Sequence, residues 1–97
     1  FVMGRELYLL VDKNREGGFT TGRVALAVAE EVGETIGAYN KFMDGKTANL
    51  AHFRQEWAQA TLMLSILGLR CASPQQLNNA LEDEMQRQHE RWNHGPT

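Results

Sequence analysis

Apolar residues recur at every third or fourth position in three long runs of this chain, and turn signals separate the runs. At 3.6 residues per turn such spacing lines up one face of a helix, so the pattern constrains the fold more than any other feature. The first run comprises Val24, Val28, Val32, Ile36, Tyr39 and Met43. The loop "REGGFTTGR" precedes it, with Gly17 and Gly18 as breakers and Thr20 or Thr21 as N-cap, and the predicted helix extends to about Asn40. "MDGKTAN" then breaks the pattern, and Thr47 or Asn49 caps the second run. That run places Leu50, Phe53, Trp57, Ala60, Leu64 and Leu67 on one face, with Leu62, Met63 and Ile66 beyond it, so burial on more than one side is expected. Gly68 is expected to stop it as a left-handed C′ residue. The third run opens on "SPQQL", in which Ser73 as N-cap, Pro74 at N1 and Gln76 at N3 form a capping-box start. Leu77, Leu81 and Met85 follow, and the helix is expected to end near Trp92. Residues 5–13, "RELYLLVDK", are too short a run to decide between helix and strand.

These elements predict an all-α domain, an up-and-down bundle of three long helices plus a short N-terminal element. One domain spans 1–97, with 1–19 as N-terminal element and loop and 93–97 as a flexible tail. Ninety-seven residues support a single modest core. A net charge of −2 argues against a basic nucleic-acid-binding or membrane-binding surface. No run approaches the length of a membrane-spanning helix, and no signal-peptide pattern is present, although the chain begins at Phe and residues 1–3 carry no weight. The single Cys71 excludes an internal disulfide framework and a multi-cysteine zinc site. A reduced, cytoplasmic setting is the expectation.

The first predicted helix carries three glutamates among its apolar residues, in "AVAEEVGETIGAY". In helical projection its apolar residues span an arc of roughly 120°. Glu31 falls only about 20° outside that arc, Glu34 about 80° outside it, and Glu30 on the far side. Glu31 and Glu34, three apart, can point the same way, and two such carboxylates repel unless a cation lies between them. On the second helix Glu56 lies close to the apolar stripe, where a lone carboxylate beside Phe53 and Trp57 is costly. Its partner is either Arg54 or Arg23, or a metal ion shared with Glu31 and Glu34 from an adjacent antiparallel helix. Facing helices that contribute carboxylates are how bundles build metal sites, and hard divalent ions such as Mg²⁺ take oxygen ligands. A solvated acidic face is the ordinary alternative, because ExxE is common on helices.

"EEVGE", then a short loop, then "EWAQATLMLSILGL", then a capped helix ending "RQHERW", resembles the MazG-like all-α nucleotide pyrophosphohydrolases over roughly residues 20–92. The family pattern is a helix bearing ExxE, a following helix bearing ExxD ahead of an apolar run, and a last helix with basic and polar residues near its end. The resemblance implies a Mg²⁺ site, with Mn²⁺ as a substitute, at which a nucleoside triphosphate is cleaved to a monophosphate and pyrophosphate in nucleotide-pool housecleaning. Carried over by position, Glu31 and Glu34 match the ExxE pair, Glu56 matches the Glu of ExxD, and Gln59 stands where the family has Asp. A Gln carbonyl can coordinate Mg²⁺ but brings no charge. Glu30 or Glu34 would orient or deprotonate the attacking water. Arg87 or Arg91 would offset charge on the leaving pyrophosphate, and Trp57 or Phe53 would form a wall for the base. The family's dimers or tetramers imply a homodimer or homotetramer here, and the second run, apolar on more than one side, points the same way.

Two rival readings remain open at this level. A catalytically lapsed module of the same fold would bind a nucleotide or another protein, with Gln59 marking the lost metal site. A plain helical structural subunit would leave its glutamates in water. Other motifs carry less. "GGFTTGRV" has phosphate-loop spacing, but Arg23 and Val24 replace the required Lys and Ser/Thr. His89 and His94 are five apart, a poor ligand spacing on a helix. His52 reads as a surface or capping residue, Cys71 as a small packed residue, and Met43, Met63 and Met85 as core fillers.

Overall fold

A computed structural model describes residues 4–45 and 49–93. Among the described residues the chain forms four helices and no strand: α1 (Arg5–Glu16), α2 (Thr21–Met43), α3 (Asn49–Cys71) and α4 (Pro74–Asn93). The all-α expectation is met, and the ambiguous N-terminal segment resolves as a helix of 12 residues. Helices α2 and α3 are 23 residues each and α4 is 20. No helix among the described residues is long and apolar enough to cross a membrane.

Local chemistry sets the ends. Gly18, at φ +79°, turns the chain out of α1 in a conformation that L side chains rarely adopt. Thr20 caps α2 by accepting a hydrogen bond from the Arg23 amide at 3.1 Å, and α2 continues past Asn40 to Met43 before Gly45, at φ +84°, ends the turn. Asn49 is the first helical residue of α3, and Thr47 lies outside the described residues. The capping box at α4 forms in both directions: the Gln76 amide donates to Ser73 Oγ at 3.1 Å, and the Ser73 amide donates to Gln76 Oε1 at 2.9 Å.

Gly68 departs from expectation. It is helical, and α3 runs through it to Cys71. Its small size serves packing instead: a Cβ added there would lie 3.2 Å from Leu77 Cδ1, so the missing side chain admits Leu77 of α4. This is where α4 meets α3, along Leu64, Leu67, Gly68 and Cys71 on one side and Leu77, Ala80 and Leu81 on the other. Beyond those first turns α4 is exposed, including Leu81, Met85 and Trp92.

The core is small. Val11, Val24, Ile66 and Leu69 are buried together, with Leu7, Met63, Leu67 and Leu77 packed around them. Two polar ties join α1 to the end of α3: Arg15 Nη2 donates to the Leu69 carbonyl at 3.3 Å, and Arg70 Nη1 to Asn14 Oδ1 at 2.6 Å. Val24 lies with Ile66 and Leu69, Thr35 beside Glu56, and Tyr39 against Phe53. As α2 numbers rise the α3 partners fall, so the two helices run antiparallel.

The predicted apolar arc of α2 is not its packing face. Val24 is buried and Val28 half-buried, but Val32, Ile36, Tyr39 and Met43 are 45–60% exposed. The side turned to α3 instead carries Val24, Ala27, Glu31, Thr35, Ala38 and Phe42, each buried or half-buried. Two physical causes are visible. Ala27, Thr35 and Ala38 are small enough for the backbones to approach, and the Thr35 hydroxyl sits 2.8 Å from its own Glu31 carbonyl and 3.1 Å from the Glu56 carbonyl across the interface. On α3 the same rotation leaves Trp57 and Leu64 each 56% exposed, so burial on several sides holds only for the Ile66–Leu69 end.

A candidate metal centre between two helices

The rotation of α2 has a direct consequence for the glutamates. Glu31 and Thr35 occupy the middle of the α2–α3 interface, and Thr35 clamps the two backbones at the level of Glu56. Glu31, Glu34 and Glu56 each offer a carboxylate oxygen, and these oxygens lie within 4.8 Å of one another. Glu31 and Glu56 are half-buried and Glu34 is exposed, so the group opens to solvent along the Glu34 side. Glu31 Oε2 and Glu56 Oε2 are buried with no hydrogen-bond partner.

Neither arginine considered from the sequence relieves this arrangement. Among the described residues no Lys or Arg forms an ion pair with the three glutamates. Arg23 instead lies 5.1 Å above the Phe19 ring, and Arg54 is exposed. Among the described residues the neighbour of opposite potential charge is His52, whose Nε2 is 3.9 Å from Glu56 Oε1. Burial first, then the neighbouring charges of Glu34, Glu56 and Glu30, push the Glu31 carboxyl above its ordinary value of 4.5. The causes all say the same thing: the site disfavours a third negative charge unless something positive enters.

The donors suit a hard divalent cation. Three carboxylates supply oxygen ligands only, as Mg²⁺ and Mn²⁺ prefer. Opposite oxygens around a Mg²⁺ ion stand about 4.2 Å apart and adjacent ones about 3 Å, so oxygens within 4.8 Å need little adjustment to share one ion.

The other residues singled out from sequence are distributed unevenly around this centre. Gln59 is exposed and projects about 60° from Glu56 on the side of Glu34, and His52 projects about 40° to that same side. Glu30 is exposed, about 40° beyond Glu34 on α2. Trp57 turns about 100° from Glu56 in the opposite sense. It lines a groove with Leu7 and Leu10 of α1, while Phe53 packs edge-to-face on Tyr39 at 6.3 Å between ring centroids. Both aromatic residues therefore face away from the mouth of the acidic cluster. Arg87 and Arg91 are exposed on α4, and Arg87 engages its own helix, 3.5 Å from Glu84 and 3.4 Å from the Asp83 carbonyl. Sequence reasoning missed His52 and Thr35. The i,i+4 spacing of His52 and Glu56 was a usable signal; Thr35 gave none, because its partner carbonyl belongs to another helix.

No known protein family, curated protein or solved structure matches this chain. The likeness to the MazG-like enzymes therefore stands on the motif residues alone.

Proposed function

We propose that this protein is a Mg²⁺-dependent nucleoside triphosphate pyrophosphohydrolase of the MazG-like kind, converting (d)NTP to (d)NMP and pyrophosphate in the cytoplasmic nucleotide pool. The observation that carries the reading is the pair of buried carboxylate oxygens without a hydrogen-bond partner on Glu31 and Glu56, facing a third carboxylate, with no Lys or Arg among the described residues paired to any of the three. A chain gains nothing in stability from that arrangement alone, whereas a bound cation turns it favourable.

In this reading Glu31, Glu34 and Glu56 hold the ion, with the Gln59 carbonyl as a neutral fourth donor. The bound ion would supply Lewis-acid polarisation of the phosphate oxygens. Glu30, or Glu34 where it is not engaged as a ligand, holds and deprotonates a water at the exposed mouth. The water oxygen bonds to the α-phosphorus, the bond from that phosphorus to the bridging oxygen breaks, and pyrophosphate departs with the bond electrons. His52 stands 3.9 Å from Glu56 Oε1, and Glu56 Oε2 is the oxygen left without a hydrogen-bond partner. Arg87 and Arg91 are exposed on α4, and in this reading their role toward the phosphates is tied to the homodimer or homotetramer. Trp57 and Phe53 face elsewhere in one protomer, so a base wall built from them also depends on assembly.

Gln59 favours a second reading. With a neutral amide where a fourth carboxylate would stand, the fold persists as a lapsed module that binds a nucleotide or a protein. Pyrophosphate release from mixed NTPs and dNTPs, with and without Mg²⁺, decides between the two. Mg²⁺-dependent release that is lost in Glu31→Gln and Glu56→Gln supports the enzyme. Release unchanged in those variants removes the assigned site, and no release unless Gln59→Asp is introduced establishes the lapsed reading.

A further inference from the structure

Helix α4 leaves most of one face without a neighbour. Leu81, Met85 and Trp92 are 46–71% exposed, and beyond its first turns α4 approaches neither α3 nor α2. With Leu77 and Gln88 they form one stripe about 80° wide, its members successively four, four, three and four residues apart.

The connection behind α4 makes this position unusual. Only Ala72 and Ser73 separate α3 from α4, and so short a link ordinarily lays the second helix antiparallel along the first. Both helix ends are fixed up to that link. The Ala72 amide donates to the Gly68 carbonyl at 2.9 Å, and the Ser73 carbonyl accepts from the Leu77 amide at 3.1 Å. A few backbone torsions between Ala72 and Ser73 therefore set the direction of all of α4, which is the construction of a hinge.

The first member of the stripe already sits where antiparallel packing puts it, because Leu77 occupies the space beside Gly68. Counting on from that contact, Leu81 meets Leu64, Met85 meets Ala60, Gln88 meets Trp57 and Trp92 meets Phe53. The α3 positions repeat the spacings four, four, three and four, and they too share an arc of about 80°. Long side chains meet small ones at Leu77–Gly68 and Met85–Ala60, and Leu64 and Trp57 are each 56% exposed. Tyr39 of α2 packs on Phe53 at the same side, which sets Tyr39 level with Trp92 and the exposed Val32 level with Met85. Between the diverging helices lies a cleft of about 430 Å³, walled by Leu64, Leu67, Leu77 and Leu81, and it is the wedge that this register fills.

We propose that α4 is a hinged arm that pivots at Ala72–Ser73 and closes on the α2–α3 hairpin of its own chain, seating Leu81, Met85 and Trp92 along Leu64, Ala60 and Phe53. The tether singles out this occupant, since it holds α4 at the groove at an effective concentration that free partners do not reach. The closed arm lies on the Trp57 side of α3, at least about 120° from Gln59 and His52, so the mouth of the acidic cluster stays open in both positions. This assignment is independent of what the glutamates bind.

The two tryptophans of the chain, Trp57 and Trp92, are exposed while α4 stands away and covered when it closes. Iodide should therefore quench the fluorescence of the native protein several-fold less steeply than that of free tryptophan. Leu64→Glu should restore steep quenching with helical circular dichroism retained, because Leu64 is already exposed beside the open arm. Register is read separately in a Cys71→Ala background with a short bismaleimide. Ala60→Cys with Met85→Cys should be joined within one chain of 10.9 kDa. Ala60→Cys with Asp83→Cys should not be joined, because Asp83 projects about 160° from Met85. Native quenching as steep as that of free tryptophan overturns the proposal, as do equal linking in the two double variants and linking that joins separate chains. Should Leu64→Glu fail to fold, the cross-linking decides.

Discussion

Replacing Glu56 by Gln should make the metal-free protein more stable, the reverse of what loss of a half-buried native side chain ordinarily does. Glu56 is 13% exposed at its side chain, one of its oxygens is buried without a partner, and Glu31 and Glu34 stand within 4.8 Å. Gln keeps the shape, removes the negative charge and supplies an amide that can donate to the Glu31 carboxylate. An unsatisfied buried polar group costs about 1–3 kcal/mol, and partial solvation of Glu56 argues for the lower end. A gain of about 1 kcal/mol corresponds to about 4–8 °C in Tm for a chain of this size. The cation response should invert the order. At ten times the Kd, Mg²⁺ or Mn²⁺ adds about 1.4 kcal/mol to the native protein, or about 6–11 °C, and much less to the variant. Thermal unfolding in EDTA and then across a metal titration measures both halves. If Glu56→Gln unfolds several degrees lower in EDTA, or if native Tm ignores millimolar Mg²⁺ and Mn²⁺, the carboxylates are not an unoccupied cation site and the reasoning fails.

Three further outcomes follow from named contacts. Because the Glu31 carboxyl is raised above 4.5, the folded state holds its proton more tightly than the unfolded chain does. The stabilisation from that group is fully present below pH 4.5 and lost as pH rises through the folded value. Denaturant titrations in EDTA should show this loss in the native protein relative to Glu31→Gln, and saturating Mg²⁺ should abolish it; a difference that is flat with pH contradicts the arrangement. Ser73→Ala removes the acceptor for the Gln76 amide and should cost about 1 kcal/mol, seen as frayed α4 helicity and a lower midpoint. Thr35→Val removes the hydroxyl shared by the Glu31 and Glu56 carbonyls. It should lower stability by about 1 kcal/mol and also weaken metal affinity, because the two helices that carry the ligands lose their tie.

What could be read from the sequence depended on how local the cause was. The capping box at Ser73 involves residues three apart, and it forms as written. The helix ends at Thr20 and Gly18 have equally local causes. The carboxylates of Glu31, Glu34 and Glu56 converge as the spacing suggested, because helix projection carries that information once two helices are known to be adjacent. Gly68 was misread because its reason lies in Leu77, on the following helix. The separation of Trp57 and Phe53 from the mouth of the cluster was hidden for a related reason. It depends on which side of α3 receives α2, and the residues of α3 alone do not specify that.

The face of α2 is the instructive case. Its apolar arc and its packing face differ by a rotation of roughly 80–100° about the helix axis, and hydrophobic periodicity alone cannot detect this. Periodicity reports where apolar residues lie, not which partner covers them. Here small and polar residues, Ala27, Thr35 and Ala38, bring α3 close, while Val32, Ile36, Tyr39 and Met43 remain outside. Within a single chain that choice is unfavourable twice, since it buries carboxylate oxygens and exposes large side chains. A cation bound between Glu31, Glu34 and Glu56 would relieve the first cost, and any partner covering the exposed face would relieve the second. One helix rotation thus accounts for both costs, and the first can be tested alone: Glu56→Gln should remove the cation response while leaving the exposed α2 side chains as they are.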